Sequence, residues 1–200
     1  MNLFIKLSLI LLFAIVFQGC EKLPLQKSFD FDENDHPVVK PKFNMTIYVF
    51  MESRPELSLM VEAIKRAGME STFSGGADDK TVLLLRNEAM IEFLTNHKYA
   101  TIAVTPILTL QNLLKYHVIR KRITQNDLTV QDFTIFQTLT DGENGKITLY
   151  KWREYWEIQI NTGGPNLPST VKKANVYLHN YEFTNGVGHQ MKKYVRRVPF

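Results

Sequence analysis

Two groups of residues have the types and spacing for chemistry or recognition. The first is Tyr150-Lys151-Trp152-Arg153-Glu154-Tyr155-Trp156, four aromatic rings interleaved with three charges. Flat rings with polar neighbours suit stacking on a sugar, the neighbours reading its hydroxyls. The same rings suit the interior of a sheet. Alternation puts Ile147 and Leu149 on one strand face and Tyr150 and Trp152 on the other, and tryptophan is highly buried on average. Core packing is the favoured reading and ligand contact at Tyr150, Trp152, Tyr155 and Trp156 the alternative. The second group is the histidines. His117 follows Tyr116 at the end of a predicted helix and reads as structural, its ring held by hydrogen bonds, with surface contact as the alternative. His189 follows Asn185-Gly186, and a pairing of His189 with His117 stays open. His36, His97 and His179 have no metal-ligand spacing. There is no Gly-x-Ser-x-Gly, no His-Glu-x-x-His and no regular carboxylate pair. Asp78-Asp79, in a glycine-rich loop, read as solvated. No catalytic residue, metal ligand or cofactor is expected, and an unrecognised hydrolase is the least favoured reading.

The single cysteine, Cys20, ends an N-terminal leader. Lys6 precedes an apolar run over 7–17, and Gln18-Gly19 follow. The run is shorter than the roughly 20 residues of a membrane-spanning helix, so it reads as a secretory signal. With a small residue before the sole thiol, it resembles a bacterial lipoprotein signal, which implies a cut after Gly19 and acylation of Cys20. Several acyl chains anchor stably, because each buried CH₂ contributes about 0.8 kcal/mol. The segment 20–42 carries Pro24, Pro37 and Pro41, an acidic cluster (Asp30, Asp32, Glu33, Asp35) and little periodicity, and is expected to be a flexible tether. Acidic residues soon after the lipidated cysteine also resemble surface-export signals, so the expected location is the cell envelope, the outer membrane by preference, with surface exposure an open possibility.

Composition narrows the remainder. At 44% hydrophobic and 22% charged, the chain is neither disordered nor a membrane bundle. Residues 43–200 are enough for one domain with a core. With no cysteine beyond Cys20, that domain has no disulfide, no thiolate metal site and no cysteine nucleophile. A formal charge of +4 is far from a nucleic-acid footprint.

The elements that must position the candidate residues follow from pattern. Residues 46–50 read as a strand. Ser53 is expected to cap a helix with Pro55 in its first turn, burying Leu57, Met60, Val61, Ile64 and Ala67 and closing at Gly68. A loop over 71–80 follows, then a continuous apolar strand over 81–85. Asn87 is expected to cap a helix carrying Ala89, Met90, Ile91 and Leu94. Thr105-Pro106 starts another, with Ile107, Leu110, Leu113 and Leu114 inward. From 128 onward strands dominate: 133–139, 146–152, 156–161, 175–180, 181–183 and 187–195, with Asn185-Gly186 as a turn in which both residues tolerate positive φ. Helices first and strands second predict an α+β fold.

In this order the elements resemble the fasciclin domain over 43–199. The motifs are Leu59-Met60-Val61-Glu62-Ala63-Ile64-Lys65-Arg66-Ala67-Gly68, then strand 81–85, Asn87-Glu88-Ala89-Met90, Leu114-Lys115-Tyr116-His117-Val118, and Asn185-Gly186-Val187-Gly188-His189. The sequence departs from the family pattern at Leu84-Leu85-Arg86, where Phe-Ala-Pro is usual, and in the basic set Lys192, Lys193, Arg196 and Arg197. The resemblance implies a β-wedge or sandwich with several helices packed against it. It assigns structural roles to Tyr116, His117, Asn185, Gly186 and His189, and a non-enzymatic adhesion or extracellular binding role to the whole. The expected partners are a membrane, through lipid on Cys20, and a surface protein or glycan, with no nucleic acid. The alternative is an accessory glycan-binding lipoprotein of a polysaccharide-uptake system, working beside outer-membrane uptake proteins.

Overall fold

The computed structural model describes residues 42–75, 80–152, 157–164 and 167–200. The leader with Cys20, the tether as far as residue 41, Asp78-Asp79, and Tyr155 and Trp156 lie outside the described residues. Among the described residues there are five α-helices and two four-stranded sheets, an α+β architecture.

The first element is a helix, α1 (Ile47–Glu52), where a strand is expected over 46–50. Thr46 is its N-cap, its side chain accepting from the Val49 amide, and Ile47, Phe50 and Met51 are buried. A short apolar run fits either period, and the i, i+3, i+4 stripe packed against neighbouring helices decided it. Ser53 closes α1, its hydroxyl donating to the Phe50 carbonyl at 2.7 Å, and does not start the next helix. A 3₁₀ turn, Pro55–Leu57, leads instead into α2 (Ser58–Ala67). Helix α2 buries Met60, Val61, Ala63, Ile64 and Ala67 and ends at Gly68 with φ 65°, a left-handed position that suits glycine. The expected loop over 71–80 begins as helix, α3 (Glu70–Ser74), because Phe73 is buried in the core.

Strand β1 (Thr81–Leu85) is buried at every residue. It feeds α4 (Asn87–His97), whose cap position is Arg86 and not Asn87. The Asn87 side chain turns to a different helix: its Oδ1 accepts from the Leu59 amide at 3.1 Å and its Nδ2 donates to the Pro55 carbonyl at 3.0 Å. It thus satisfies the first turn of α2, which has no side-chain cap of its own. Helix α5 (Ile107–Tyr116) buries Leu110, Leu113, Leu114 and Tyr116. Ile107 is exposed, contrary to expectation, and so is Ile91 on α4. Periodicity assigns a face to a helix but not how far along its length that face is covered.

The first sheet has the order β2-β1-β8-β7, with β2 (Val118–Ile119), β7 (Leu178–Phe183) and β8 (Gly186–Met191). Strand β1 runs parallel to β8, with Leu83 opposite His189, and the other pairs are antiparallel. The second sheet, β3-β4-β5-β6, is wholly antiparallel: β3 (Phe133–Gln137), β4 (Lys146–Trp152), β5 (Glu157–Ile160) and β6 (Ala174–Asn175). The expected single strand over 175–180 is therefore divided. The Val176 amide donates to the Ile158 carbonyl in the second sheet, and the next amide, Tyr177, donates to the Gln190 carbonyl in the first, each at 2.8 Å. The chain changes sheets between those two residues. The strands expected to reach 139 and 195 end at Gln137 and Met191. One hydrophobic cluster joins the helices, β1 and the inner face of the second sheet, where Ile147, Leu149, Ile158 and Ile160 are fully buried. Among the described residues no helix is long and apolar enough to cross a membrane.

Candidate functional site

The Tyr116-His117 pair sits where α5 ends, and its two rings reach in different directions. His117 Nδ1 lies 2.7 Å from the Leu113 carbonyl, and its Nε2 accepts from the Val195 amide at 3.1 Å. A carbonyl on one side and an N–H on the other require a neutral ring with the proton on Nδ1. Burial pushes its pKa down to about 4, against the opposing pull of the Leu113 hydrogen bond. Tyr116 reaches the second sheet. Its hydroxyl donates to the Lys146 carbonyl at 3.2 Å and accepts from Asn161 Nδ2 at 3.0 Å. Burial pushes that phenol up to about 12.

His189 is held in the complementary tautomer. Its Nδ1 accepts from the Asn180 amide at 3.1 Å, and its Nε2 lies 3.0 Å from the Ile123 carbonyl, so the proton is on Nε2. Asn180 sits at φ 63°, inside the irregularity that interrupts β7–β8 pairing between Leu178 and Tyr181. The imidazole fills the gap that this bulge opens. Burial again brings the pKa down to about 4, with His179 adding to the shift and the Ile123 bond opposing it. Both nitrogens of each histidine are taken by backbone groups, so His117 and His189 are not hydrogen-bonded to each other. Both lie beside Leu83, which pairs with His189 in register and donates its amide to the His117 carbonyl at 2.8 Å.

Asn185-Gly186 is a turn, as expected, but the two residues have separate roles. Only Gly186 has positive φ, at 151°, and a Cβ there would run into the Lys80 carbonyl. The Asn185 side chain is buried, accepting from the Ile47 amide at 2.9 Å and donating to the Phe73 carbonyl at 2.8 Å. One amide thus fastens the start of α1 to the end of α3. An Asn-Gly pair signals a turn and is silent on where the asparagine side chain goes, so this role was not legible in the sequence.

The aromatic stretch is divided by its strand. Ile147 and Leu149 face the core, while Tyr150 and Trp152 share the outer face with Phe133, Ile135 and Gln159. Phe133 stacks on Tyr150 at 4.4 Å between ring centroids, and Trp152 lies 5.9 Å from Tyr150. The backbone at Gly163 lies against the Phe133 ring, where a Cβ would overlap it. Tyr150 is buried beneath these neighbours, but Trp152 is 43% exposed, Phe133 41% and Ile135 44%. Tyr150 is thus buried on the outer face, outside the core cluster, and Trp152 is part exposed beside it. Sequence reasoning missed Phe133 and Ile135, since strand β3 gives no sign of which partner strand it will flank. A second apolar group, Val104, Ile107 and Leu108, is exposed around the start of α5.

The basic residues 192–197 do not form one patch. Lys192 lies 3.7 Å from the centre of the Tyr177 ring, and Arg197 is buried. Among the described residues no three His, Cys, Asp or Glu side chains are grouped to hold a metal ion.

The model of the fasciclin domain family matches residues 55–195. The chain belongs to the fasciclin domain family. This fasciclin domain is also similar to a solved FAS1 domain pair from the insect cell adhesion molecule fasciclin I, with a TM-score of 0.58 and 19% identity over 75% of this chain. The match spans 50% of that solved chain, and at this identity it speaks for the fold alone. A search of the curated proteins finds no match. Domains of this family are commonly adhesion-related.

Proposed function

We propose that this protein is a lipid-anchored envelope module whose single fasciclin domain binds another surface molecule and performs no chemistry. Acyl chains on Cys20 hold it to the outer membrane, and the tether over 20–42 carries the domain away from the lipid. The observation that carries the reading is the outer face of the second sheet, where Phe133, Ile135 and Trp152 are exposed on the face that holds buried Tyr150, with Phe133 and Trp152 both against its ring. Contiguous exposed apolar surface rimmed by polar groups marks an interaction site. The rings of His117 and His189 and the Asn185 amide, by contrast, are engaged by backbone groups.

A second reading, glycan contact in a polysaccharide-uptake system, is favoured by the polar company of the indole. Glu157, directly opposite Trp152, Gln159 opposite Tyr150, and Asn175 share its face. The experiment is a binding screen of the full chain against glycans and against envelope proteins, repeated with Trp152→Ala, Phe133→Ala and Leu108→Ser. Loss of binding in the first two, with Leu108→Ser unaffected, supports the face, and the class of bound partner separates the two readings. Binding that survives Trp152→Ala and Phe133→Ala in folded protein overturns it. Intact mass at Cys20 and protease shaving of whole cells test the anchor and its side of the membrane.

A further inference from the structure

A cleft lined by none of the exposed aromatic-face residues concentrates positive charge. It lies where the segment before β6 meets the chain after β8, alongside α4. Lys172 and Arg196 form an antiparallel bridge there, exchanging both backbone hydrogen bonds: Lys172 N to Arg196 O at 2.8 Å and Arg196 N to Lys172 O at 3.2 Å. Residues directly opposite in such a pair project their side chains to the same side, and like charges so placed repel. Lys173 adds a third cation to the same cleft.

Only part of this charge is balanced. Glu92 of α4 pairs with Lys172 at 2.7 Å, and Lys172 also lies 4.7 Å from the centre of the buried Tyr194 ring, so its ammonium is fixed in place. Among the described residues no acid pairs with Arg196 or Lys173, and Arg196 Nε is buried without a hydrogen-bond partner. An unsatisfied buried guanidinium N–H costs the full desolvation of that group unless something accepts from it. Asn96, one helical turn beyond Glu92, and Thr170 add neutral polar groups to the wall. The cleft has a volume of about 560 Å³. That is within the roughly 300–1,000 Å³ of small-molecule sites and far more than a bare inorganic ion fills.

We propose that this cleft binds a small organic oxyanion, a carboxylate- or phosphate-bearing sugar unit, with Arg196 and Lys173 as its charge partners. The Arg196 guanidinium, paired with no acid among the described residues, takes the oxyanion through charge-assisted hydrogen bonds, and Asn96 and Thr170 read hydroxyls on the remainder. This site is independent of the outer-face reading, and Trp152→Ala leaves it unchanged.

The test is calorimetric titration and thermal melting of the full chain in detergent with four probes: galacturonate, galactose 1-phosphate, inorganic phosphate and neutral galactose. Galacturonate or galactose 1-phosphate is expected to bind and raise Tm, galactose to do neither, and the charged sugar that binds identifies the oxyanion. Arg196→Gln weakens that binding at least tenfold and abolishes the Tm rise. Lys173→Gln, at an exposed position that leaves the fold undisturbed, weakens it several-fold, and Lys65→Gln on α2 does not change it. Failure of both charged sugars to bind better than galactose overturns the proposal. So does inorganic phosphate binding as tightly as galactose 1-phosphate, or wild-type affinity in folded Lys173→Gln.

Discussion

Both sheets bury polar side chains that serve backbone groups, Asn161 and Thr138 doing so in the second, but they differ in what the outer face carries. In the first sheet, polar side chains are driven inside and each serves two backbone groups: His117 joins Leu113 to Val195, His189 joins Asn180 to Ile123, and Asn185 joins α1 to α3. In the second sheet the inner face is purely aliphatic at Ile147, Leu149, Ile158 and Ile160, and the outer face leaves Phe133, Ile135 and Trp152 to solvent. A buried ring with both nitrogens engaged cannot be altered without unpairing backbone, whereas a ring with part of its surface in solvent can be altered without that cost. On the proposed reading, the buried polar contacts of the first sheet serve the fold and the outer face of the second serves recognition.

The largest effect expected from this contrast is a dependence on pH. His117 and His189 are neutral and buried, with pKa values of about 4 against an unfolded value of 6.5. The unfolded chain therefore binds more protons below pH 6.5, and stability is lost as pH falls from there toward 4. The loss reaches about 3 kcal/mol per histidine by pH 4. Urea unfolding at several pH values checks this, and a flat profile between pH 6.5 and 4.5 would break the contrast.

Next in size is His117→Ala. It removes a buried ring and leaves the Val195 amide without a partner, for a loss of about 3 kcal/mol at pH 7. The variant also loses its share of the pH dependence. Asn185→Ala unpairs the Ile47 amide and the Phe73 carbonyl and should cost about 2 kcal/mol. Native-state hydrogen exchange would report the loss as faster exchange at the start of α1. On the second sheet, Trp152→Ala should lower stability by only about 1 kcal/mol, the scale of one partly exposed aromatic contact, while abolishing partner binding. Ile135→Thr is expected to change the unfolding free energy by no more than about 0.5 kcal/mol. If Trp152→Ala destabilised as much as His117→Ala, the outer face would be a structural surface and not a recognition surface.

How much of this was legible varied with the range of the interaction. Strand β1, the stripe of α2, its Gly68 end and strand β4 follow from patterns confined to a few residues, and they formed as read. The misread elements were those settled by distant partners. Residues 46–50 became helix because their i, i+3, i+4 stripe packs against the following helices, with Asn185, 138 positions beyond Ile47, taking the Ile47 amide. Asn87 had the local signature of a cap for its own helix, and the proximity of α2 redirected it. The run over 175–180 looked continuous because nothing local marks the residue at which the chain leaves one sheet for the other.

The sequence alone determined the α+β class, the family motifs, the aromatic composition of strand β4 and the absence of cysteine chemistry in the domain. All of these depend on residue type and short spacing. Tertiary structure alone decided which aromatic rings are exposed, which tautomer each histidine holds, where Asn87 and Asn185 direct their amides, and that Lys172 and Arg196 stand side by side. Each of those is a matter of which backbone group or charge lies within about 3 Å, and such neighbours come from residues tens of positions apart.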